Sequence, residues 1–207
     1  MVIIYEYMNN DTRYESSDLN IENYNNIICL YYEYNGDLNL SILPNNLEYL
    51  YWCNNKFKKI PVLPDSLKFL DCSYNYLQYL PILPNNLEEL YCNNNKITGI
   101  PVLPKNLKIL WCEYNELINL PILPNCLIVL YCSYNKLINL PILPSSLKNL
   151  DCYGNKLINL PKLPKTLALL YWENYQIVNI ITIDIMDIFL IYDKYKIKFI
   201  SKLRYKY

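Results

Sequence analysis

Apolar and polar positions recur along this chain with a fixed period of twenty. A complete unit reads Leu67-x-x-Leu70-x-Cys72-x-x-Asn75-x-Leu77-x-x-Leu80-Pro81-x-Leu83-Pro84. Seven units run without insertion from Pro44 to about residue 183, and a worn eighth precedes them with Ile27, Leu30, Tyr32, Asn35, Leu40 and Leu43 in the matching columns. All 13 prolines fall into two columns, one through Pro44 and Pro164, the other through Pro61 and Pro161. Repetition at such a period means stacked units that bury a core only together.

Between Leu67 and Cys72 the pattern approaches strict alternation, the signature of a strand with one buried face. Leu67, Leu70 and Cys72 are expected to point inward, and Phe69, Asp71 and Ser73 outward. One strand per unit, always in one direction, builds a parallel sheet with strands about 4.8 Å apart. The return path is about eight residues and holds two prolines, each of which would remove a helical hydrogen bond and clash. An extended, polyproline-like path is expected there, with Leu80 and Leu83 facing the core. The column between them (Val62, Ile82, Val102, Ile122, Ile142, Lys162) tolerates water. Polar pairs such as Asn85-Asn86 turn the chain into the next strand. Asn55, Asn75, Asn95, Asn115, Asn135 and Asn155 share a column, where a buried amide can donate and accept at once and tie neighbouring coils.

The unit resembles the leucine-rich repeat, specifically the 20-residue repeat of the YopM and IpaH group of bacterial type III effectors, which share the Leu-Pro-x-Leu-Pro junction. With its composition, the chain looks more like the leucine-rich-repeat proteins of giant amoeba-infecting viruses. The resemblance implies a leucine-rich-repeat solenoid: a curved parallel β-sheet on the concave face, an extended convex side, and few or no helices except near the C-terminus. In the IpaH relatives a ubiquitin-ligase domain follows the repeats. Only 24 residues follow the last unit here, so a ligase-recognition subunit is the alternative expectation rather than a ligase. The organisation expected is a capping segment at 1–23 (with a strand over 2–7), a degenerate repeat at 24–43, seven repeats over 44–183, and a basic cap or tail at 184–207. In that tail Asp184 caps a short helix from Ile185 to about Tyr192, and an edge hairpin closes the solenoid.

Composition narrows the chemistry. There is no histidine, which removes Ser-His and Cys-His nucleophilic catalysis and the commonest metal ligand. Acids and bases balance at 19 each; residues 1–43 are net −6 (one base, seven acids), 44–183 net +3, and 184–207 net +3. No nucleic-acid or membrane partner is expected from this balance, although the alternating basic tail over 194–207 leaves one open. Five of the 8 cysteines recur inward, one per coil, from Cys72 to Cys152. Side chains in register point the same way, poor geometry for disulfides, and no zinc spacing exists. Cys29, Cys53 and Cys126 are expected to be more accessible. Unpaired thiols and the absence of a basic, apolar leader point to the cytoplasm, that of a host cell if the protein is viral. Trp52 and Trp172 stand in the cysteine column of the first and last units, where they are expected to fill the ends of the array. An abundance of Asn, Ile, Lys and Tyr with one alanine and 3 glycines reflects an AT-rich genome, so tyrosine number alone carries no argument.

No acid–base pair, phosphate loop, metal cluster or cofactor motif stands out, and no enzyme or cofactor is expected. The outward strand columns form the concave face, where Phe69, Tyr91, Ile109, Trp111, Val129 and Tyr131 make an exposed patch bordered by Tyr114 and Tyr134 at the strand ends. Aromatic anchors with a few acids around them suit binding to a protein partner, a second copy of the chain included.

Overall fold

In the computed structural model the described residues are 2–7, 13–16, 24–33 and 42–172. Ten strands form one sheet: β1 (Val2–Tyr7), β2 (Arg13–Ser16), β3 (Ile27–Glu33), then β4 (Tyr49–Tyr51), β5 (Phe69–Asp71), β6 (Glu89–Tyr91), β7 (Ile109–Trp111), β8 (Val129–Tyr131), β9 (Asn149–Asp151) and β10 (Leu169–Tyr171). The eight strands β3 to β10 lie side by side in chain order and pair in parallel. From β4 onward each residue sits opposite the one twenty further on, as Leu90 does opposite Leu110 and Tyr91 opposite Trp111. The repeat is therefore a solenoid in register. At the other edge β1 pairs antiparallel with β3, and β2 pairs antiparallel with β1. Thus β1 extends the sheet beyond the worn first coil, and β2, which no sequence signal marked, is the outer strand.

Each coil closes for local reasons. In all seven units the second proline accepts a hydrogen bond from the leucine three residues on, as Leu67 N donates to Pro64 O at 3.1 Å. Proline can give this turn its carbonyl because an N–H is not needed there. On the return path no helix forms among the described residues; the one helical element is a 3-10 turn at Tyr24–Asn26. Inside, Leu67, Leu70, Cys72 and Leu77, with Leu80 and Leu83 from the return path, are buried, and the pattern repeats coil by coil into one continuous core. Stacking, rather than the size of any one coil, supplies that core.

The asparagine column is the polar counterpart of the leucines. Asn75 Nδ2 donates to Trp52 O of the preceding coil at 2.9 Å and to Cys72 O and Ser73 O of its own at 3.2 and 3.1 Å. Its Oδ1 accepts from Phe57 N at 3.1 Å. Asn95, Asn115, Asn135 and Asn155 repeat this arrangement. One amide thus joins two coils from both of its ends. A second ladder runs along the turns, where Ser66, Ser146 and Thr166 donate to two carbonyls of the coil before. Cys126 takes the same place, its Sγ against Lys105 O and Leu107 O, which makes it a structural substitute for serine.

Two expectations are corrected and one is refined. Ser73 lies on the outward side with Asp71 but is covered there, because Asp71 Oδ1 accepts from both its amide N, at 3.0 Å, and its hydroxyl. Cys29, on β3, is buried, whereas Cys53 and Cys126 are half-buried as expected. Trp52 does not fill an open end: it is fully buried, stacked on Tyr32 of the worn coil at 4.5 Å and against Phe57 at 4.9 Å. The helix expected from Ile185, the tail at 194–207, residues 173–183 of the seventh unit, and Asn35 and Leu40 lie outside the described residues.

Candidate functional site

The concave face is built by alternation. In each three-residue strand the middle leucine is buried and its two neighbours are half-exposed on the opposite side, so two residues per coil reach the concave surface. The position two beyond the strand lies on the same side, exposed at Tyr153, half-exposed at Cys53 and Glu113, and buried at Ser73, Asn93 and Ser133. Parallel register brings like columns together at the spacing of neighbouring strands, about 4.8 Å, which is also a comfortable distance for aromatic rings.

The outcome is an unbroken run of rings across six coils. Tyr31 stacks on Tyr51 with centroids 4.3 Å apart, Tyr51 meets Phe69 at 4.7 Å, and Phe69 meets Tyr91 at 5.4 Å. Tyr91 meets Trp111 at 5.6 Å, and Trp111 stands edge-on to Tyr131 at 5.4 Å. Ile109 and Val129 pair directly opposite one another on β7 and β8 beside Trp111 and Tyr131. Phe69, Tyr91, Ile109, Trp111, Val129 and Tyr131 are therefore brought into one half-exposed patch.

Carboxylates are set among the rings and held by neutral donors. Glu89 Oε2 accepts from the Tyr91 hydroxyl at 3.0 Å. Glu113 accepts from the Trp111 indole N–H and, at 2.5 Å, from the Ser133 hydroxyl. Asp151 accepts from Tyr153 N at 3.1 Å. Partial burial raises the Tyr91 hydroxyl to about 12, its hydrogen bond to Glu89 adding to the effect. Asp151 is pushed up to about 6, first by burial and then by the nearby charge of Glu113, against the lowering effect of the Tyr153 amide. Along the rim, Lys68 pairs with Glu48 at 2.8 Å and Lys108 with Glu88 at 2.5 Å, each lysine reaching back one coil.

Tyr114 and Tyr134 occupy a different structural position from the strand residues. They stand just past the strands, exposed, with left-handed backbone (φ 51° for each), as does Tyr74 at 54°. The same column holds Asn54, Asn94 and Gly154, also at positive φ, the residue types that this conformation favours. A left-handed tyrosine costs about 1–2 kcal/mol. Asparagine is as freely supplied by an AT-rich genome as tyrosine is, so composition does not explain the choice. Tyr114 and Tyr134 stack at 4.4 Å, Tyr153 closes edge-on at 5.3 Å, and the Tyr134 ring lies over Gly154, where a Cβ would meet it at 2.9 Å.

The convex side carries a feature that the repeat pattern had marked only as tolerant of water. Val62, Ile82, Val102, Ile122 and Ile142 form a row that is 85 to 90 % exposed. Each sits between two prolines in extended backbone, which β-branched residues favour, and Lys162 occupies the same column. Local conformation accounts for the row. Among the described residues no group of three His, Cys, Asp or Glu is placed to hold a metal ion, and no helix is long and apolar enough to cross a membrane. The five cysteines from Cys72 to Cys152 are buried and free, their thiols pushed up by desolvation.

The family description "Leucine Rich repeats (2 copies)" matches residues 65–105 and 85–125. Among solved structures, the leucine-rich-repeat domain of a Shigella effector is similar at 38 % identity and a TM-score of 0.56, covering 75 % of this chain and 62 % of that one. YopM from Yersinia enterocolitica is 32 % identical with a TM-score of 0.55, covering 67 % of this chain and 36 % of that one. YopM from Yersinia pestis, a leucine-rich effector protein, is 31 % identical with a TM-score of 0.54, covering 64 % and 45 %. This chain thus spans 36 to 62 % of the length of those proteins. No curated protein matches it.

Proposed function

We propose that this leucine-rich-repeat solenoid is a non-catalytic scaffold that binds a protein partner through its concave face. Phe69, Tyr91, Ile109, Trp111, Val129 and Tyr131 form the contact patch, with Tyr114 and Tyr134 at its border. The observation that carries this reading is the unbroken run of rings from Tyr31 to Tyr131 on the concave side. Rigid aromatic rings supply contact area at small entropic cost and dominate binding hot spots. Left-handed tyrosines beside the patch support the same reading, since backbone strain is retained where a side chain is required. Structural neighbours include bacterial effectors; an AT-biased composition supports a viral protein at work in a host cell, and five buried thiols outside any disulfide, Cys72 to Cys152, support the cytoplasm as its place of action.

The test is proximity labelling in the host cell followed by reconstitution with the purified partner. The Trp111→Ala/Tyr131→Ala double variant is expected to lose binding by more than about tenfold while keeping the circular dichroism of the parent. Undiminished binding by that variant overturns the reading.

A further inference from the structure

Charge is segregated between the two sides of the solenoid. Residues 42–172 carry twelve lysines, no arginine and eight acids. The twenty concave positions (columns 49–169, 51–171 and 53–153) hold four of those acids, Asp71, Glu89, Glu113 and Asp151, and none of the lysines. Elsewhere on the same segment twelve lysines face four acids. The concave face is thus −4 and the remainder +8.

The rim does not cancel this. Lys68 and Lys108, which border the face, are bound to Glu48 and Glu88 on their own rim, and Lys148 follows Ile128 in that column. Among the described residues the four concave carboxylates accept hydrogen bonds from hydroxyl, indole and amide groups and form no salt bridge. Glu113 is close enough to Asp151 to raise the cost of ionising it. Clustered like charges held in place by neutral donors, beside electron-rich ring faces, make a site whose missing component is a cation. Phosphates of a nucleic acid would be repelled by it.

We propose that the concave face recognises a cationic, extended polypeptide segment of its partner, whose arginine or lysine side chains lie over the rings of Tyr91, Trp111 and Tyr131 and meet the four carboxylates. This deepens the reading of the concave face as a protein-binding site and rests on it. From Asp71 to Asp151 the acids cover four coil steps, about 19 Å, the length of roughly six extended residues. Alternate side chains of such a segment face the sheet, so three or four cations reach it.

The probe is a fluorescein-labelled peptide of alternating arginine and serine, about eight residues long, titrated by anisotropy into the full chain. The control peptide carries citrulline in place of arginine. Binding of the arginine peptide is expected to weaken by roughly tenfold or more between about 0.05 and 0.5 M salt, and citrulline to abolish it. The variant Asp71→Asn/Glu89→Gln/Glu113→Gln/Asp151→Asn is expected to lose roughly tenfold or more, with the single change Glu89→Gln intermediate and Glu116→Gln, on the outer surface, without effect. Equal affinity for the arginine and citrulline peptides, or for parent and quadruple variant, overturns the proposal, as does absence of binding. If Trp111→Ala/Tyr131→Ala loses the native partner while the arginine peptide fails to bind, the concave site stands and its cationic specificity falls.

Discussion

Asn115→Ala removes an amide that serves two coils at once, and its cost can be worked from the bonds it breaks. Asn115 Oδ1 accepts from Ile97 N at 2.9 Å, and its Nδ2 donates to Cys92 O at 3.0 Å and to Cys112 O and Glu113 O at 3.2 and 3.1 Å. Ile97 is fully buried, so its N–H is left without a partner, at about 1–3 kcal/mol. Two N–H groups serve the carbonyls, and losing them costs about 1 kcal/mol each. The sum is about 3–5 kcal/mol, a large part of the roughly 5–15 kcal/mol that holds a domain folded. Urea unfolding followed by far-ultraviolet circular dichroism reads this directly, with a second unfolding phase expected as the coils on either side of residue 115 uncouple. Asn115→Asp keeps the acceptor for Ile97 but points a carboxylate at the carbonyl oxygens. Its folded-state pKa is therefore raised, and its deficit shrinks as pH falls and the carboxyl takes up a proton that it can donate. A loss below about 1 kcal/mol for Asn115→Ala would refute the view that the amide ladder couples the coils.

Three further outcomes are expected. Tyr74→Asn should stabilise the protein by roughly 0.5–1 kcal/mol in the same assay, because Tyr74 is exposed at φ 54° and asparagine tolerates that backbone better; a loss would show that the ring packs productively. Gly154→Ala should cost about 1–2 kcal/mol, since φ is +65° and the new Cβ would lie 2.9 Å from the Tyr134 ring, and near-ultraviolet dichroism should report displacement of the Tyr114–Tyr134 stack. Asp151 has a folded pKa of about 6 against 3.8 as its ordinary value, so the protein binds more protons folded than unfolded between those values, and the charged carboxylate opposes folding above pH 6. Screening by solvent leaves about 1 kcal/mol of that opposition, so Asp151→Asn should raise stability by about this amount at neutral pH and by nothing near pH 4.

The parts of this molecule legible in its sequence are those fixed by a rigid repeat. Leucine, asparagine and proline each have one task per coil, and twenty-residue spacing states which positions meet. The inward faces of Leu67, Leu70 and Cys72 follow from alternation alone. The burial of Ser73 escaped because a carboxylate two residues earlier holds it down on the outward face, a local bond that alternation cannot express. The left-handed tyrosines escaped because periodicity says nothing about φ; the signal was the company they keep in their column, Asn54, Asn94 and Gly154. The charge segregation was present in the sequence and becomes visible once the lysines are sorted by column. Strand β2 had no signal, because its pairing with β1 depends on a partner that only the folded edge provides. The exposed row from Val62 to Ile142 was read as water-tolerant, and its near-complete exposure gives a second apolar surface with which the concave face must compete.

That competition permits a direct test of which surface meets the partner. Binding of the purified partner is measured for Trp111→Ala/Tyr131→Ala and, separately, for Ile82→Lys/Ile122→Lys on the convex row, each variant first matched to the parent in melting temperature. Loss of binding by the concave pair with retention by the convex pair is the predicted result; retention by the concave pair with loss by the convex pair would contradict it.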